Sequence, residues 1–266
     1  MLSEETLRGI IVPVVTPLNR EGKLDTQSFH NLISRLKNTG IHGLIVNASL
    51  GEGSTPGDND IELMIDIAKT LVEDKSIIVE IGFDHTLGAL KRTVRAKWLG
   101  ADAVLISPPF YKRYSQEEII NQFYRLTETN LPIILLDILN RKRKPMDLTA
   151  VKTVVNMDHV IGLVEGTNDI KRLFNLVRDL SKPVLCGVDE LLFASLCFGV
   201  KGASIASAQL ETDDFVKIYN LFREGEFNKS STLFERLTPL IQFLSSEASS
   251  DPLKWLLNQH GYIQTD

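Results

Sequence analysis

Five carboxylates, Glu52, Glu80, Asp137, Glu165 and Asp189, stand at or just after the ends of short β-branched runs. Oxygen ligands brought together from several strand ends could hold a divalent cation and use it to polarise a carbonyl or activate water. Acids in such places also cap the next helix or pair with a neighbouring Lys or Arg. The structural role is the reading adopted, and no metal is expected. Lysine offers a second chemistry, because a free amine attacks a carbonyl to give an imine. It must be partly buried, so that its pKa falls from about 10.4 toward 7–8. Lys112, Lys142 and Lys144 follow strands, but the last two belong to the run RKRK at 141–144, which reads as a solvated surface even though mutual repulsion lowers their pKa values. His85, beside Asp84, could serve as a ligand, yet a single loop histidine reads as exposed. Cys186 and Cys197 lack CxxC spacing and lie in apolar surroundings, so both are expected to be buried free thiols.

The elements that must position these groups alternate strictly. Eight apolar runs, 9–16, 43–48, 76–82, 103–107, 132–138, 160–165, 183–187 and 202–207, are mostly continuous rather than alternating, as befits parallel strands covered on both faces. Amphipathic segments separate them. Phe29, Leu32, Ile33 and Leu36 mark a helix capped by Asp25, and Ile61, Met64, Ile65, Ala68 and Leu71 mark another from Asp58 to about Val72. Ser115 with Glu118 three residues on predicts a capping box, and Asp169 predicts a further cap. Eight βα repeats predict an α/β fold, a (β/α)8 barrel over residues 1–225, with 226–266 as a C-terminal helical extension too short to hold its own core. A doubly wound sheet is the alternative; no strand leads into a GxGxxG or Walker-type turn.

Composition excludes several classes. The 266 residues carry 29 Lys+Arg against 34 Asp+Glu, a net charge of −5, which is the wrong sign for nucleic acid. No window matches a membrane span, and the N-terminus MLSEETLRG is no signal peptide, so the expectation is a cytoplasmic protein.

Read in order, the motifs VVTPL at 14–18, SLGE at 49–52, SPPFY at 107–111, PIILLD at 132–137 with Arg141, GLVEGTND at 162–169 and PLKWLLNQHGYI at 252–263 resemble the dihydrodipicolinate synthase and N-acetylneuraminate lyase family of pyruvate-using class I aldolases. The resemblance spans nearly the whole chain and implies a (β/α)8 barrel, an active site at the carboxyl ends of the strands, no cofactor, and a homodimer or homotetramer. In that family a lysine on strand six, within GxKEATG, forms a Schiff base with the keto acid. The corresponding residue here is Val164, which has no lone pair. The family's strand-five tyrosine, in a YNxPxR pattern, falls at Leu136, with Asp137 in place of Asn and Leu139 in place of Pro. Of its paired threonines after strand two, Ser49 keeps a hydroxyl and Leu50 does not. Tyr111 matches a tyrosine inserted across the dimer interface, with packing as its plainer role, and Arg141 matches an arginine that holds a carboxylate. The family also usually continues past the equivalent of Tyr262-Ile263 for another one or two helices.

These matches imply Tyr111 and Ser49 as the remaining catalytic-type groups, and Arg141, Ser49, Leu50, Gly51 and Glu165 as substrate-binding residues. The favoured expectation is a barrel that binds a small keto or carboxylic acid without Schiff-base turnover. Two alternatives stand beside it: an active lyase using a relocated lysine or a divalent metal, and a regulatory or structural partner of an active paralogue.

Overall fold

The computed structural model describes residues 2–49, 57–82, 85–109, 114–138, 145–246 and 250–264. Eight strands, β1 (Gly9–Pro13), β2 (Gly43–Val46), β3 (Ser76–Ile81), β4 (Ala103–Ile106), β5 (Ile133–Ile138), β6 (Val160–Gly166), β7 (Val184–Cys186) and β8 (Gly202–Ser204), pair in parallel with their sequence neighbours. The ring closes where Ile10 of β1 is in register with Ala203 of β8. Sequence spacing therefore selects the closed barrel over the open sheet.

Alternation along each strand divides the apolar side chains between two cores. Ile11, Ile45, Ile78, Leu105, Ile134, Leu136, Val164 and Leu185 fill the barrel interior, joined by Leu2 and Leu7. The intervening residues, such as Ile10, Val12, Leu44, Val46, Ile77 and Val79, pack outward against the helices. Both faces are buried, which is why the runs read as continuously apolar. At the closure the backbones of β1 and β8 nearly touch: a Cβ on Gly202 would lie 2.1 Å from the Gly9 carbonyl oxygen, so the seam admits no side chain there.

Around the barrel run α1 (Thr26–Lys37), α2 (Asp58–Leu71), α3 (Thr86–Trp98), α4 (Gln116–Thr127), α5 (Leu148–Val155), α6 (Ile170–Asp179), α7 (Leu192–Phe198) and α8 (Thr212–Arg223), followed by α9 (Phe227–Leu244) and α10 (Asp251–Gln259). Their starts follow local hydrogen-bond chemistry. Asp25 Oδ1 accepts from Ser28 N at 3.1 Å, and Asp169 Oδ1 accepts from Arg172 N at 3.0 Å. At α4 the capping box is complete: Glu118 N donates to Ser115 Oγ at 3.1 Å while Ser115 N donates to Glu118 Oε2 at 2.7 Å. Ser115→Ala removes the first of these bonds and is expected to cost about 1 kcal/mol in urea unfolding. A loss below a few tenths would mean that water caps Glu118 N equally well. Among the described residues no helix is long and apolar enough to cross a membrane.

Candidate functional site

The carboxyl ends of β5 and β6 bring the two altered motifs side by side. Leu136 and Val164 are direct partners in the β5–β6 register, both face the barrel interior, and both are nearly inaccessible, at 5% and 2% exposure. Beside Val164 the chain leaves β7 at Gly187, where a Cβ would lie 2.9 Å from Val164 Cγ1. This part of the mouth is hydrocarbon and supplies neither a nucleophile nor a proton carrier.

Polar groups enter instead from β2 and β3. Glu80 lies two residues beyond Ile78 on the inward face of β3, and its carboxylate is buried. Oε2 accepts a hydrogen bond from Ser49 N at 3.0 Å. Burial pushes the Glu80 carboxyl up to about 7, against the opposing effect of the bonds from Ser49. Just past the end of β2, Asn47 adopts a left-handed backbone with φ 56° and sends its Nδ2 to the Glu80 carbonyl oxygen at 2.8 Å. Its Oδ1 is buried with no hydrogen-bond partner among the described residues. Ser49 itself is exposed at the mouth. In the sequence Asn47 is marked only as the one polar residue of the apolar run GLIVNA, one place before its end.

Among the described residues, the other strand-end acids, Asp137, Glu165 and Asp189, have partners elsewhere. Glu165 follows inward-facing Val164 and therefore points outward, so the expected ligand-binding role meets a carboxylate placed on the helix side of the barrel wall. Asp137, its register partner on β5, points the same way. Arg172 of α6 spans both, with Nη2 at 2.5 Å from Asp137 Oδ2 and Nε at 3.3 Å from Glu165 Oε2. The Thr167 hydroxyl and backbone N also donate to Glu165, and Met146 N donates to Asp137 Oδ2 at 3.2 Å. Burial holds the Glu165 carboxyl above its ordinary range despite Thr167 and Arg172. Asp189 accepts from Ser207 N and its hydroxyl, which ties the loop after β7 to the segment after β8. Among the described residues, no three His, Cys, Asp or Glu side chains are grouped as a metal site.

The remaining candidates have local roles. His85 caps α3, its Nδ1 accepting from Gly88 N at 3.0 Å. Thr16, at the end of β1, turns to Met64 of α2. Cys186 is buried with its thiol pushed up to about 11 by desolvation, while Cys197 is exposed, which corrects the expectation of two buried thiols: the last turn of α7 carries Cys197 on its solvent side. Lys182 donates to Met157 O and Val160 O at the amino end of β6, the opposite end from the mouth. Leu50, Gly51, Glu52, Asp84, Phe110, Tyr111, Lys112, Leu139, Arg141, Lys142 and Lys144 lie outside the described residues.

Comparison with known proteins agrees with this architecture. The chain is 28% identical to the 4-hydroxy-tetrahydrodipicolinate synthase of Syntrophobacter fumaroxidans over 263 residues, covering 97% of this chain and 90% of that protein. It is likewise 28% identical to the synthase of Methanocaldococcus jannaschii, covering 96% and 89%. The crystal structure of dihydrodipicolinate synthase from Thermotoga maritima superposes with a TM-score of 0.92 at 26% identity, covering 97% of this chain and 90% of that one. With the profile of the dihydrodipicolinate synthetase family matching residues 6–266, the chain belongs to that family.

Proposed function

We propose that this protein binds a small keto or carboxylic acid at the barrel mouth and does not run the Schiff-base lyase reaction. The observation that carries the reading is the Val164–Leu136 pair, two buried hydrocarbons in direct register where the family pattern calls for lysine and tyrosine. An isopropyl group cannot attack a carbonyl, and an isobutyl group cannot relay a proton. On this reading Ser49, Leu50, Gly51 and Arg141 form the binding half, with Arg141 taking the carboxylate and Tyr111 closing the site. The subunits form a homodimer or homotetramer in the cytoplasm.

The names of the relatives favour a second reading, an active lyase with its amine moved to Lys112, Lys142 or Lys144. One experiment separates the two. After incubation with pyruvate and sodium borohydride, intact mass is expected to be unchanged, while calorimetry with pyruvate alone gives binding heat. A reduced pyruvyl adduct, mapped to any lysine by peptide mass, overturns the inert reading.

A further inference from the structure

Two acceptors described at the mouth lack the donors that their burial calls for. Asn47 Oδ1 is buried without a partner among the described residues, and its amide cannot turn over to relieve this. Nδ2 already donates to the Glu80 carbonyl, so a flip would set two oxygens against each other. Beside it the Glu80 carboxylate receives only uncharged donors from Ser49, and among the described residues no cationic side chain pairs with it. Ala48, which follows Asn47, belongs to the apolar cluster of the barrel interior, as do Leu136 and Val164 at the ends of β5 and β6. A buried carboxylate that meets no cation among the described residues, next to a buried oxygen that meets no donor among them, is an arrangement that a bound cation with several N–H groups completes.

We propose that the barrel mouth takes a small ligand bearing a primary ammonium group, received by Asn47 Oδ1 and the Glu80 carboxylate, with its aliphatic carbons against Leu136 and Val164. An ammonium brings three donors and one charge on a compact centre, matching two acceptors of which one is anionic. A hydroxyl brings one donor and no charge. A keto oxygen brings only lone pairs, so pyruvate is expected to bind through its carboxylate alone, no tighter than propionate. The inference rests on the reading above for the carboxylate end, and it narrows the ligand from a keto acid to an amino acid.

Calorimetry with four probes of similar size tests it: L-alanine, propionate, pyruvate and ethylamine. L-Alanine is expected to bind at least about tenfold tighter than propionate, because a charge-assisted bond is gained on each acceptor. Glu80→Gln, a nearly isosteric change, is expected to reduce alanine affinity by about tenfold or more and leave propionate unchanged. Asn47→Gly, which adopts the positive φ freely, is expected to weaken alanine alone, and thermal melts report whether each variant is folded. Equal binding of alanine and propionate, or an unchanged alanine affinity in a folded Glu80→Gln protein, overturns the ammonium site and leaves the carboxylate reading intact. Binding of ethylamine that Glu80→Gln abolishes, with propionate and pyruvate silent, upholds the ammonium site and removes the carboxylate reading. Silence from all four probes overturns both.

Discussion

Arg172→Ala is expected to destabilise the protein by about 3–5 kcal/mol in urea unfolding at neutral pH. The guanidinium is the only cation among the described residues that touches Asp137 and Glu165, which are 0% and 3% exposed in their side chains and stand opposite each other on β5 and β6. Truncation removes the cation that two buried, mutually repelling carboxylates share. The cost comes from keeping both charges buried after their shared cation is lost and not from the pair itself, since a buried ion pair roughly breaks even against hydrocarbon of the same shape. A triple variant with Asp137→Asn, Glu165→Gln and Arg172→Met is therefore expected to recover most of the loss. If the single variant loses less than about 1 kcal/mol, water reaches the acids and the network is not sealed. The same contacts fix β5 against β6, and so fix the Leu136–Val164 pair on the opposite face of those strands.

The barrel was legible because its strands are buried twice over. Continuous apolar runs such as 76–82 and 160–165 mark such strands directly, and the caps at Asp25, Ser115 and Asp169 are local bonds that the sequence spells out. The feature that identifies the runs also hides their facing. A run with no alternation does not say which residue of VIGLVE points inward, so Glu165 reads as a mouth residue although its neighbour Val164 is the one that faces the interior. Glu80 could be identified as a strand-end acid, but not as an inward one without a cation, because that depends on alternation with Ile78 and on the absence of a facing cation among the described residues. Arg172 gave no signal at all: its two partners lie 35 and 7 residues away in the chain and meet it only after the barrel has closed.

Glu80 also makes a prediction independent of any ligand. Its carboxyl is held near 7 in the folded protein, above the usual 4.5, so between those values the folded state keeps a proton that the unfolded chain has released. The stabilisation from this group is therefore complete below about pH 4.5, declines as pH rises toward 7, and is gone above it. The gap corresponds to about 3 kcal/mol, and water admitted by breathing of the mouth reduces it toward 2. Glu80→Gln cannot titrate, so its stability relative to the parent is expected to rise by about 2–3 kcal/mol between pH 4.5 and 8, measured by urea unfolding at each pH. Glu165 and Asp189 are also held above their ordinary range by burial and bend both curves the same way, so they cancel in the difference. A flat difference would mean that the carboxylate is already ionised in the folded state. A cation would then be stationed at the mouth before any ligand arrives, and the vacancy that the ammonium group is meant to fill would not exist.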